Sequence, residues 1–414
     1  MTDEMVPDEP EVGVFSLWFL RGALTLTCLV VLGFALHAAV GLFDRDSDAP
    51  ETAEEVDGAA SSSTSAPSLG DPDTELQAFV DEAIAFIEAT RERAFLERPV
   101  VEMVSVDTMT KIVLDDIRTD LAAEPEAAAA SLAFARAIGF FGPDDEFLDV
   151  FEVFVSGGVL GVYFPSTDRL LVRSSGELSL STKATIVHEL VHALDDQHYD
   201  LDREELREDG DAGWVFGAAV EGSASWVEEA WRATLSSEQA AALQAEELSI
   251  DPGDIFSLDV GFLIYQTSVY DAGREWLDAR IRGEGLAAID DALTNGAPSS
   301  EVVLQPLGSP ALEPVELAFP TVEGAVVWQG RGGQALIAAL TFLADPSEVA
   351  ATGWGGDALT VYLDADGAEC LRWDLVGDTE ADTAELFDAL GRWAVDVGGT
   401  VAVHDGNVRV DRCA

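Results

Sequence analysis

The stretch Ser181 to Leu201, STKATIVHELVHALDDQHYDL, carries three of the five histidines of this 414-residue chain within eleven positions. Val187, Leu190, Val191 and Leu194 recur at the i, i+3, i+4, i+7 spacing of an amphipathic helix, so one side of it faces a core. Ser181 or Thr182 is placed to cap it. On such a helix His188 and His192 lie one turn apart on the same face and can hold one metal ion together. Glu189 completes the pattern H-E-x-x-H. That pattern combines two neutral imidazoles on zinc with a carboxylate beside the open fourth position, able to take a proton from bound water. The plain alternative is a solvated helix face that happens to carry two histidines. Asp195 and Asp196, three and four residues beyond His192, could orient an imidazole from behind.

A zinc site needs a third protein ligand, and two residues compete for the place. His198 is the nearest further imidazole, but six residues of continuing helix amount to about 600° of turn and about 9 Å of rise. It could reach the same ion only if the chain broke sharply within ALDDQ, which instead continues the helical pattern. Glu221 belongs to a separate helical stretch, GWVFGAAVEGSASWVEEAWRATL, where Gly217, Ala218, Gly222 and Ala224 are small enough to permit a close approach to the first helix. The expected set is therefore His188, His192 and Glu221, with His198 hydrogen-bonded near the helix end. The alternative for Glu221 is a solvated glutamate beside Glu228 and Glu229. Among tyrosines able to donate to a developing oxyanion, Tyr270 is preferred over Tyr163 and Tyr199.

The rest of the chain frames this site. The sequence has 78 acidic and 22 basic residues, with Lys111 and Lys183 its only lysines, so nucleic acid and anionic lipid are poor partners. Carboxylates spread along most of the length suit solvation better than one acidic binding tail. Against that background Gly22–Phe43 carries no Asp, Glu, Lys or Arg and is long enough to cross a bilayer as a helix. A cleaved signal peptide is the rival reading, although the acidic residues before Arg21 make a poor n-region. Residues 1–21 form a short tail, and 44–73 read as a disordered Ser, Pro, Ala and acid-rich linker. Cys370 and Cys413 are the two cysteines outside the span, the usage expected of an extracytoplasmic disulfide, with two free thiols as the alternative. The folded region is then expected outside the membrane, the N-terminus inside.

From about Thr74 the pattern is helical, until GVLGVYFP and RLLVRSS, joined at Ser166-Thr167-Asp168, read as a hairpin. Its edge could accept an extended peptide. After about Thr321 the pattern alternates helix and strand: ALTVYLDADGAECLRWDL reads as strand, turn and strand, and a final strand pair surrounds Asp405-Gly406. GWGGD at Gly353–Asp357 is either a binding loop or a tight turn anchored by Trp354. The expected fold class is α+β: a mainly helical domain over 74–320 with a small sheet, and a C-terminal α/β subdomain over 321–414.

HELVHALDD resembles the active-site helix of the gluzincins, the thermolysin-like zinc metallopeptidases, in which a glutamate on a following helix is the third ligand. The succession GVYFPSTDRLLV, TIVHELVHALDDQHYDL, AAVEGSASWVEE, YDAGREWL, ATGWGGDALTVY and ECLRWDL is similar to a poorly characterised group of bacterial and archaeal metallopeptidases, often membrane-anchored. The similarity runs from about Gly158 to Trp373. It implies a zincin-like fold, bound Zn2+, a peptide or protein substrate, and Glu189 acting first as base and then as acid. In thermolysin-like enzymes an aspartate four residues past the third ligand buttresses a histidine. Here that position is Ser225, so the role would pass to Asp195 or Asp196. A catalytically silent zincin-like domain that binds peptide or envelope components is the reading from another class.

Overall fold

A computed structural model describes residues 25–28, 72–203, 210–305, 313–344 and 349–414. Thr25–Cys28 forms strand β1. Helix α1 (Pro72–Arg91), β2 (Val100–Val104), α2 (Val106–Ala123), α3 (Pro125–Ala137) and α4 (Phe147–Gly158) lead to the hairpin β3 (Val159–Phe164) and β4 (Arg169–Arg173). The hairpin turns through Pro165–Thr167 and Asp168, whose φ of 49° is one an aspartate tolerates. Strand order in this sheet is β1-β3-β4-β2; β2 runs parallel to β4 and the other pairs are antiparallel.

Then come the two long helices α5 (Leu180–Tyr199) and α6 (Gly210–Arg232), followed by α7 (Ser237–Glu247), α8 (Val260–Glu284), α9 (Ala287–Asn295) and α10 (Ser300–Leu304). The cap of α5 is Ser179, two residues before Ser181 and three before Thr182; its side chain accepts from the Thr182 amide. Val187, Leu190, Val191 and Leu194 are buried in a core shared with Phe79, Val80 and Ile87 of α1 and with Leu170 and Val172 of β4. A second core, dominated by the phenylalanines of α4 and by Phe262 of α8, lies on the other side of the ligand helices. The site is held between the two.

The C-terminal part contains β5 (Ala325–Gly330), α11 (Gly333–Thr341), the short α12 (Val349–Thr352), β6 (Trp354–Leu363), β7 (Glu369–Gly377), α13 (Glu380–Val397), β8 (Thr400–His404) and β9 (Asn407–Cys413). Its strands make a wholly antiparallel sheet of order β5-β6-β7-β9-β8. Both Asp-Gly turns are hairpin tips, with Gly367 at φ 85° and Gly406 at φ 91°. GWGGD is neither loop nor turn: from Trp354 onward it is the start of β6. Asp357 accepts four hydrogen bonds, from the Gly332 and Gly333 amides at 2.7 and 3.0 Å and from the Trp354 and Trp373 indoles at 2.9 and 2.7 Å. That satisfies a buried carboxylate and fixes the start of α11.

The α+β class thus stands. The N-terminal expectation is corrected at four residues: Thr25–Cys28 is extended on β3 instead of helical. The edge of β3 offers unpaired amides and carbonyls, and Thr25 and Thr27 are β-branched. The other residues of the expected span, the tail 1–21 and the linker up to residue 71 lie outside the described residues. No described helix is long and apolar enough to cross a membrane.

Cys370 and Cys413 face each other across β7 and β9 and are joined by a disulfide. Closing a 43-residue separation constrains the unfolded chain by about 4 kcal/mol in the loop-entropy picture. Cys413→Ser should therefore lower unfolding free energy by roughly 2–4 kcal/mol in denaturant titrations, and an unreduced peptide map should show the Cys370–Cys413 pair. A second stability test concerns Glu301 of α10, whose carboxyl is pushed up to about 7, first by burial and then by Asp378 and Asp211. The folded state favours the neutral acid. Its contribution is complete below the unfolded value of 4.5 and is lost as pH rises through about 7. Glu301→Gln should raise the melting temperature at about pH 8 and change it little at about pH 5. Equal shifts at both pH values would remove the charge as the cause.

Candidate metal centre

Helix α5 runs unbroken through Asp195 to Tyr199 and buries His188, Glu189 and His192 against α6. Glu221, also buried, meets both imidazoles: its Oε2 lies 3.1 Å from His188 Nε2 and 3.4 Å from His192 Nε2. The three ligand atoms all fall within 4.8 Å of one another. A tetrahedral zinc ion with bonds of about 2.0–2.2 Å holds neighbouring donor atoms about 3.3–3.5 Å apart, so the set fits such an ion. Two imidazoles and a carboxylate are also ligand chemistry that zinc accepts. Both oxygens of Glu189 and Nδ1 of His192 are buried and lack a hydrogen-bond partner, which a core made only for stability would avoid.

His198 does not join them. Its Nε2 lies 2.9 Å from the Ala94 carbonyl, at the far end of the unbroken helix. The expected buttress is corrected. Asp195 is taken by Arg91 at 2.7 Å and by the Ser223 hydroxyl at 2.6 Å. Asp196 accepts from the Tyr163 hydroxyl and the Leu201 amide, each at 2.8 Å. The residue behind His188 is Glu228, whose Oε2 lies 2.9 Å from Nδ1. Glu228 also accepts from Arg232 Nε at 2.8 Å, and Arg232 continues to Glu247. Glu228 stands two turns after Glu221 on the same helix, a spacing readable in EGSASWVEE. Holding Nδ1 as the donor leaves Nε2 with its lone pair toward the metal position.

Gly161 of β3 lies against Glu189, and its meaning was not legible in the sequence. A Cβ there would come within 2.5 Å of Glu189 Oε1 and 2.6 Å of Thr185 Cγ2. The close approach expected of the small residues on α6 does occur, but Gly222 uses it toward α8. A Cβ on Gly222 would stand 2.3 Å from the Gly273 carbonyl carbon, and one on Gly273 1.9 Å from the Ala218 oxygen. This crossing brings Tyr270, one turn before Gly273, against the site: its ring centroid is 6.0 Å from that of His188. Tyr163 is committed to Asp168 and Asp196, and Tyr199 to Asp290.

Burial dominates the electrostatics. It drives the Glu189 carboxyl well above the usual range, against the opposing influence of His188. Burial also pulls His188 down, but the bonds to Glu221 and Glu228 outweigh it and carry the imidazole up to about 10. His192 shares Glu221 without a carboxylate of its own, and burial leaves it lowered. Glu221 itself is lowered: burial opposes its charge, but the two imidazoles prevail.

Residues 317–413 match a family model described as Domain of unknown function (DUF8575). No curated protein and no solved structure matches the chain. The matched region includes the five-stranded sheet and none of the residues of the metal centre.

The Glu228 bond makes a direct prediction. Glu228→Gln should retain the fold and weaken zinc affinity by about 10–100-fold in chelator competition. Unchanged affinity would mean that Glu228 serves Arg232 alone.

Proposed function

We propose that this chain is a zinc-dependent metallopeptidase that hydrolyses peptide bonds. The observation that carries the reading is the convergence of His188, His192 and Glu221 on one point, beside the buried and unpaired carboxyl of Glu189. A zinc ion bound there would lower the pKa of its water toward neutrality and polarise a carbonyl. The chain's own residues supply the rest. Glu189 takes the proton from water and passes it to the leaving amine; its dry surroundings raise its affinity for that proton, which suits the first transfer and holds the proton until the amine departs. Glu228 keeps the His188 ring in its orientation. Tyr270, lying over His188, is the candidate donor to the oxyanion. The outer edge of β3, which passes beside Glu189 at Gly161 and is paired with β1 in this structure, would offer backbone hydrogen bonds to an extended substrate once β1 leaves it. The uncharged run Gly22–Phe43 supports a membrane anchor, and the Cys370–Cys413 disulfide a folded part outside.

The test uses zinc content and turnover together. The protein should bind about one zinc per chain and cleave some member of an unstructured peptide library. Glu189→Gln should keep the metal and lose at least about a hundredfold in kcat. Glu221→Ala should release the metal, whereas His198→Ala should retain it. Cleavage undiminished in Glu189→Gln would defeat the mechanism, and full zinc content in Glu221→Ala would defeat the ligand assignment. Stoichiometric zinc without cleavage of any peptide would favour a silent, peptide-binding zincin-like domain.

A further inference from the structure

We propose that the outer edge of β3 is a docking edge for an extended, uncharged segment, and that its resident occupant is this chain's own Thr25–Cys28. The consequence for turnover rests on the peptidase reading above; the docking itself does not. β4 covers one edge of β3, so a single edge is left, and β1 takes it in antiparallel register. The partners are Thr25 with Tyr163, Leu26 with Val162 and Thr27 with Gly161. Gly161 is the residue whose missing side chain makes room for Glu189, so the β1 backbone runs where a peptide would have to lie to reach that carboxyl.

Charge favours this occupant. The chain has a net charge of −56, so an acidic segment would be repelled. Gly22–Phe43 is the long stretch without an acidic residue. Reach does not prevent it: the 43 residues from 29 to 71 could span roughly 140 Å when extended. The same stretch is long enough for a membrane helix, in which every backbone bond is internal. A strand on β3 and a helix in a bilayer are therefore exclusive placements of one segment. In water Thr25–Cys28 closes the edge of β3; drawing these four residues into a bilayer would open it.

The experiment compares the full-length protein in membrane-free buffer with its Leu26→Pro, Thr27→Pro double variant. Adjacent prolines remove an inward N–H whichever residue of the alternating pair faces β3. Those amides among Gly161–Tyr163 that face β1 should exchange with solvent at least about tenfold faster in the variant. Hydrolysis of an uncharged unstructured peptide should rise severalfold, and a synthetic peptide of sequence Gly22–Val31 should reverse both effects. Equal exchange in the two proteins would overturn the docking. Faster exchange with no hydrolysis by either protein would sustain the docking and remove the peptidase reading. Equal exchange with equal hydrolysis would do the opposite.

Discussion

Arg91 ends α1 by placing a guanidinium in the interior, where Asp195 of α5 and Ser223 of α6 receive it at 2.7 and 2.8 Å. The ion pair is almost fully dry, with side-chain exposures of 1% and 0%. Taking either partner away from such a pair strands a buried charge, at a cost of about 3–5 kcal/mol, so the arrangement tolerates little displacement. Its place along the helices matters more than its energy. Asp195 lies three residues past His192, and Ser223 two past Glu221, so one buried cation pins α5 and α6 beside the turns that carry His192 and Glu221. The spacing of His188 and His192 is set by one helical turn, and the clamp bears on how Glu221 meets them.

The opposite side of α6 is set by the absence of side chains. Gly222 and Gly273 let α6 and α8 touch backbone to backbone, and the bulky residues around that crossing, among them Trp214, Phe262 and Trp276, fill the core beside it. Close packing here excludes water from the ligand atoms, which by itself lowers both imidazoles, and their different carboxylate partners separate them. His188, with two carboxylates, holds a proton strongly, while His192 does not. A divalent cation between them would replace that proton as the counter-charge for Glu221.

What could be read from the sequence was whatever is periodic and local. His188, Glu189 and His192 are set by one helical turn, and the hairpin and both Asp-Gly tips by turn chemistry. Glu221 was accessible through the small residues around it, although the reason was partly misplaced: Gly222 accommodates α8 rather than α5. The missed roles all depend on partners distant along the chain. Glu228 looked like one of two surface glutamates until α5 placed His188 against it across 40 residues. Asp195 looked like a candidate behind His192, yet its carboxylate belongs to Arg91, 104 residues earlier. Gly161 reads as a weak point in a strand, because the clash that excludes a side chain there comes from Glu189. Thr25–Cys28 illustrates a different limit: an uncharged β-branched run satisfies both a helix in lipid and a strand on an open edge, and hydropathy does not choose between them.

The C-terminal region contributes no ligand, but it bears on where α6 begins. Asp211, fully buried in the first turn of α6, accepts from the Ser300 amide at 3.1 Å, and its own amide donates to the Arg331 carbonyl at 3.0 Å. Arg331 Nε lies 3.4 Å from the same carboxylate. Gly333 follows, at a φ of 77° and so close to Asp211 that a Cβ would stand 1.8 Å from Oδ1. Asp357 holds this turn from the other side through the Gly332 and Gly333 amides. Two buried aspartates therefore share one glycine-rich turn, one at the start of the ligand helix and one in β6. A shift of the five-stranded sheet would be transmitted through Asp357, the turn and Asp211 to the axis of α6, and Glu221 lies ten residues along that axis from Asp211. The C-terminal region is in this sense a support for the candidate metal centre, and the physical reason is that each buried carboxylate would lose part of its hydrogen bonding if its amide donors moved away.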